Sequence, residues 1–148
     1  MAGAFFIAQS AQAKMPPAFV KLKIFGKTFN CSAQPRGQAE TYTQYACSLP
    51  PSDPDLTSIS IPSFWVSEYD DTFKPKELLD DILKDACKGL DYAVFQCPKP
   101  RPNIAVGYAH DKNSQSVFRI TPNTVLWVQN MNFKNNWLDD AHLTWLCK

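Results

Sequence analysis

Apolar and polar residues first alternate where Val20, Leu22 and Ile24 are interleaved with Lys21 and Lys23. A period of two is the pattern of a strand with one face on a core and the other in water. Gly26-Lys27 interrupts the run, and a Gly-X pair between Phe25 and Thr28 predicts a type II′ turn, so residues 19–31 read as a hairpin. Thr41 to Ser48 is rich in Thr and Tyr and reads as the next strand. Pro50, Pro51 and Pro54 then remove three backbone donors, which makes residues 49–55 a connector. Ile59 and Ile61 resume the alternation, and Phe64-Trp65-Val66 extends it beyond an edge or bulge at Pro62.

The period changes near Pro75, whose fixed φ suits a first helical turn. Leu78, Leu79, Ile82, Leu83 and Ala86 follow on one face, and Gly89 can take the left-handed conformation that ends a helix. Tyr92 to Gln96 reads as a strand, and the alternating prolines from Cys97 to Pro102 as an extended, unpaired segment. Ile104 to His110, Val117 to Thr121 and Thr124 to Asn130 alternate with turns, the spacing of an antiparallel meander. Asn136 is placed to cap a short terminal helix with Trp137, Leu138, Ala141 and Trp145 on one face. Strands grouped on either side of one central amphipathic helix predict an α+β fold, mainly antiparallel, with a hairpin near the start and the meander near the end.

With 148 residues there is material for one core, and 20% charged residues with a net charge of +1 give no field strong enough to attract nucleic acid. Residues 14–148 therefore read as a single globular domain. Ahead of it, the apolar run Ala2 to Ala8 ends in Ala11-Gln12-Ala13, the small-residue signature of a cleaved signal peptide over residues 1–13. No Lys or Arg precedes that run, so its positively charged end reads as truncated. The run is also far shorter than the ~20 apolar residues of a membrane span. Asn30-Cys31-Ser32 matches a glycosylation sequon formally, but its central cysteine is assigned to a bridge and the Ala-Gln-Ala ending reads as bacterial, so the expected location is periplasmic or secreted.

Export changes the meaning of the five cysteines, which contain no C-x-x-C pair. In an oxidising compartment they form bridges rather than a zinc or redox site. The pairing expected is Cys31 with Cys47 and Cys87 with Cys97, each closing a loop of roughly 10 to 17 residues, with Cys147 either spare or competing for one of these partners so as to pin the C-terminal tail.

Candidate chemistry is sparse. Any imidazole-dependent reaction must use His110, beside Asp111, or His142, three residues after Asp139. A carboxyl pair such as Glu68 and Asp111 is formally open to glycoside chemistry. No phosphate loop, dinucleotide fingerprint or nucleophile motif accompanies them, and no cofactor or metal is expected. Aromatic residues are the remaining signal, with Phe64, Trp65, Trp127 and Trp137 the candidates for partner contact. The expectation is a non-catalytic protein-binding domain, for example a periplasmic inhibitor or immunity protein that blocks a toxin or cell-wall enzyme. A small hydrolase using His110 or His142, and a structural or adhesive envelope component, are the alternatives.

Overall fold

The computed structural model describes residues 19–24, 26–48, 63–99, 101–131 and 138–148. The expected signal peptide, the proline connector at 49–55, the strand around Ile59 and Ile61, and Asn136 and Trp137 lie outside them. The elements in chain order are β1 (Phe19–Ile24), β2 (Lys27–Ala33), β3 (Tyr42–Ser48), β4 (Ser63–Tyr69), α1 (Pro75–Asp85), β5 (Asp91–Phe95), β6 (Ala105–His110), β7 (Ser114–Thr121), β8 (Thr124–Met131) and α2 (Asp140–Trp145). Eight strands form one sheet in the order β1-β2-β3-β4-β8-β7-β6-β5. Every neighbouring pair is antiparallel. With two short helices and two disulfides among the described residues, the class is α+β.

The order is explained by α1. The chain leaves β4 and runs through the helix to the far edge of the sheet. It then returns strand by strand until β8 lies against β4. Lys74 supplies no side-chain cap to α1, but Pro75 occupies the first turn, where a missing N–H leaves nothing unsatisfied. Gly89, at φ +87°, turns the chain out of the helical segment toward β5.

Alternation sorts each strand onto two faces. On one face Ile24, Phe29, Cys31, Tyr45, Phe64, Val66, Val106, Val117, Leu126 and Val128 form a continuous core with Leu143 and Leu146 of α2. β1 and β7 are far apart in the strand order, yet Leu22 and Ile24 line one cleft with Arg119 and Leu126. The sheet therefore curls around its inner core. Burial of side chains such as Phe29, Tyr45 and Phe64, each at most 2% exposed, stabilises it by roughly 1.5–3 kcal/mol apiece. α2 closes that core. Arg119 donates from Nε to the Leu146 carbonyl at 2.8 Å and from its Nη2 to the Lys148 carbonyl at 2.5 Å.

On the outer face Leu79, Leu83 and Cys87 pack over Ala105, Ala109, Phe118, Ile120 and Val125. Small residues on β6 set how closely the helix approaches. A Cβ at Gly107 would lie 2.9 Å from Leu79 Cδ1 and 3.2 Å from the Ala93 carbonyl oxygen.

Three expectations need correcting. Ile24 pairs with Lys27, so Lys27 belongs to β2 and not to the turn, while Gly26 takes a positive φ of 77°. Asp139, not Asn136, caps the terminal helix, since its side chain accepts from the His142 N–H. The third concerns the bridges: Cys31 is joined to Cys47 as expected, but Cys97 is joined not to Cys87 but to Cys147, the alternative in which Cys147 takes a partner, and Cys87 is a buried free thiol. Face overrides loop length here. Cys87 packs in the outer cluster beneath α1, whereas Cys97 and Cys147 pack against the inner one. The Cys31–Cys47 bridge joins residues directly opposite each other on β2 and β3, with Cα atoms 4.0 Å apart.

Candidate binding surface

The two histidines lie on different elements, His110 at the end of β6 and His142 in α2. His110 ends β6 with its ring 6.5 Å from that of Tyr108. Asp111 is engaged in the following turn, where its Oδ1 accepts from Asn113 N and Ser114 N at 2.8 Å and from Ser114 Oγ at 3.1 Å. Those donors hold its carboxyl below the ordinary range. His142 sits in the first turn of α2, its backbone N–H donating to Asp139 Oδ1 at 2.8 Å and its Nδ1 2.7 Å from the same oxygen. The backbone hydrogen bond leads in lowering the Asp139 pKa, followed by the imidazole. Both aspartates thus serve local turns.

Glu68 and Asp111 are equally unpaired chemically. Glu68 lies opposite Thr124, near the β7–β8 turn, whereas Asp111 precedes Ser114 at the other end of β7. An eight-residue strand separates these ends by on the order of 20 Å, beyond the ~9.5 Å upper limit for carboxyls of an inverting glycosidase. Among the described residues no group of three or more His, Cys, Asp or Glu is placed to hold a metal.

The aromatic candidates divide by strand face. Phe64 points into the inner core against Phe29, with centroids 4.2 Å apart, and at 2% exposure it is not a contact surface. Trp65 and Trp127 are opposite each other on β4 and β8 and stack at 4.5 Å on the outer face. Beside this stack runs a groove bounded by Ile82, Ala86, Cys87 and Leu90. Trp137 lies outside the described residues.

Sequence reading passed over the sheet edges, because an edge exists only once the strand order is known. β1 and β5 are the two edges. On β1, exposed Lys21 and Lys23 flank Leu22, a common guard against pairing with another chain. β5 has the sequence Asp91-Tyr92-Ala93-Val94-Phe95, with neither lysine nor proline. Tyr92 and Val94 are 46% and 45% exposed, two of the three large exposed hydrophobics among the described residues. A cleft next to this edge has a volume of about 280 Å³ and is lined by Lys76, Asp80, Val94, Gln96, Arg101 and Ile104, among others. The Cys97–Cys147 bridge anchors the chain just beyond the strand. The absence of lysine from residues 91–95 was the available signal.

Comparison with protein-family models, curated proteins and solved structures finds no match to this chain. Function must be argued from the surface itself. The two disulfides fit an exported protein, and no helix among the described residues is long and apolar enough to cross a membrane.

Proposed function

We propose that this is an exported, non-catalytic protein-binding domain that takes an extended segment of its partner onto β5. The carrying observation is the contrast between the edges among the described residues: β1 sets Lys21 and Lys23 behind an exposed Phe19, whereas β5 has neither lysine nor proline and displays Tyr92 and Val94. Strand addition gains affinity from main-chain hydrogen bonds and specificity from side-chain pockets. The cleft between β5 and α1, with Lys76 and Arg101 on its wall, supplies such a pocket. In a periplasmic or extracellular setting a toxin or cell-wall enzyme is the partner class to test first, which makes the domain an inhibitor or immunity protein.

The test is capture by the oxidised full chain from envelope and secreted fractions, followed by affinity measurement on the purified partner. Val94→Lys and Tyr92→Lys are expected to weaken binding at least tenfold, with Lys21→Ser and His110→Ala leaving it unchanged. Binding indifferent to both β5 variants, or no saturable partner, overturns the proposal.

A further inference from the structure

A sheet edge that can take a partner's strand can also take its own copy, and β5 is matched to itself in a way that β1 is not. A two-fold axis joins two copies through the same surface, so each contact is made twice. Placed through Ala93, such an axis pairs the strands antiparallel, with Tyr92 opposite Val94 of the second copy and Val94 opposite its Tyr92. Asp91 then falls opposite Phe95, and the small Ala93 meets its own counterpart on the axis. No like charges face each other in this register. The same operation through Leu22 of β1 sets Lys21 opposite Lys23 twice over, which is repulsive.

Exposure and packing favour the same register. Tyr92 and Val94 are half-exposed and share one strand face, and in the pairing each covers the other as an aromatic and β-branched cross-strand pair. α1 packs chiefly over β6 and β7, which leaves room beside β5. Val94 lines the cleft of about 280 Å³ together with Lys76 and Asp80. Tyr92 of the second copy, opposite Val94, brings a phenol hydroxyl to that opening, where an ammonium can donate to it and a carboxylate accept from it. We propose that, in the absence of a partner, β5 is occupied by β5 of a second copy, joining two eight-stranded sheets into one. The inference rests on the reading of β5 as a site of strand addition and names its resting occupant. Dimerisation uses the main-chain groups that a partner's strand needs, so the two exclude each other and the monomer is the form that binds. Five residues a side make less than a standard interface, hence a weak dimer with a dissociation constant on the order of 100 μM.

Sedimentation equilibrium of the oxidised full chain, from about 10 μM to about 1 mM, is the test. A reversible monomer–dimer equilibrium is expected. Val94→Lys alters two pairs at once by symmetry and should weaken the dimer about tenfold or more, whereas Lys21→Ser should leave it unchanged. Circular dichroism verifies that both variants fold. Ala93→Cys places two thiols on the axis, and mild oxidation should give a covalent dimer on a non-reducing gel, absent from Lys21→Cys. A chain that is monomeric throughout, a dimer indifferent to Val94→Lys, or a folded Ala93→Cys variant that does not crosslink overturns the proposal. Strand addition is judged separately, on the captured partner. A monomeric chain whose partner binding is still lost in Val94→Lys overturns the dimer alone, and a Val94-dependent dimer whose partner binding ignores both β5 variants overturns strand addition by the partner alone.

Discussion

Removing the Cys97–Cys147 bridge by the double substitution Cys97→Ala and Cys147→Ala should destabilise the fold more than removing Cys31–Cys47 in the same way. The two bridges span 50 and 16 residues. In the chain-entropy relation they restrict the unfolded state by about 4 and about 3 kcal/mol. The longer bridge also fastens α2, whose Leu143 and Leu146 are 2% and 0% exposed in the inner core, to the segment after β5. For a chain of this size each kcal/mol moves the midpoint of thermal unfolding by roughly 2–4 °C, so losses of about 8–16 °C and 6–12 °C are expected. Urea unfolding of the three oxidised proteins, compared at a common slope, is the more direct assay, because it yields the difference of about 1 kcal/mol between the variants. An equal or larger loss in the Cys31/Cys47 variant refutes the loop-closure reasoning. A loss below about 1 kcal/mol in the Cys97/Cys147 variant would mean that Arg119, through the Leu146 and Lys148 carbonyls, holds α2 without the bridge.

Gly107→Ala should cost about 1–3 kcal/mol in urea unfolding, because the added methyl meets buried Leu79 and the β5 backbone. Asp139→Ala should cost about 1 kcal/mol through loss of the α2 cap, while Asp139→Asn retains the capping bond. Asp139 has a lowered folded-state pKa, so its ionic contribution is present above the unfolded value near 4 and disappears as pH falls through the folded one. Asp139→Asn should therefore flatten the stability profile in that acid window, as measured by urea midpoints from pH 5 downward. Peptide mapping should recover Cys97 linked to Cys147, and Cys87 should react with iodoacetamide only after unfolding.

Strands were legible wherever one face is buried and the other wet. Val20, Leu22 and Ile24 do turn inward with Lys21 and Lys23 outward, and the helix follows Pro75. What the sequence could not show was face and order. Cys87 and Cys97 lie ten positions apart but pack in opposite clusters, whereas Cys147 approaches Cys97 only because α2 closes the inner core. Phe64 and Trp65 looked equivalent as adjacent aromatics, yet strand alternation buries the first and turns the second to the outer face. Tyr92 and Val94 gained their meaning only when β5 proved to be an edge, a property of the whole sheet rather than of residues 91–95.

Site-specific photocrosslinking tests strand addition at β5 most directly. A benzoylphenylalanine placed at Tyr92, and separately at Phe19 on the opposite edge, is irradiated in the oxidised full chain mixed with the captured partner. Efficient crosslinking from position 92, abolished by Val94→Lys and weak from position 19, is the expected result. Crosslinking from position 19 alone, or from position 92 unchanged by Val94→Lys, would contradict it.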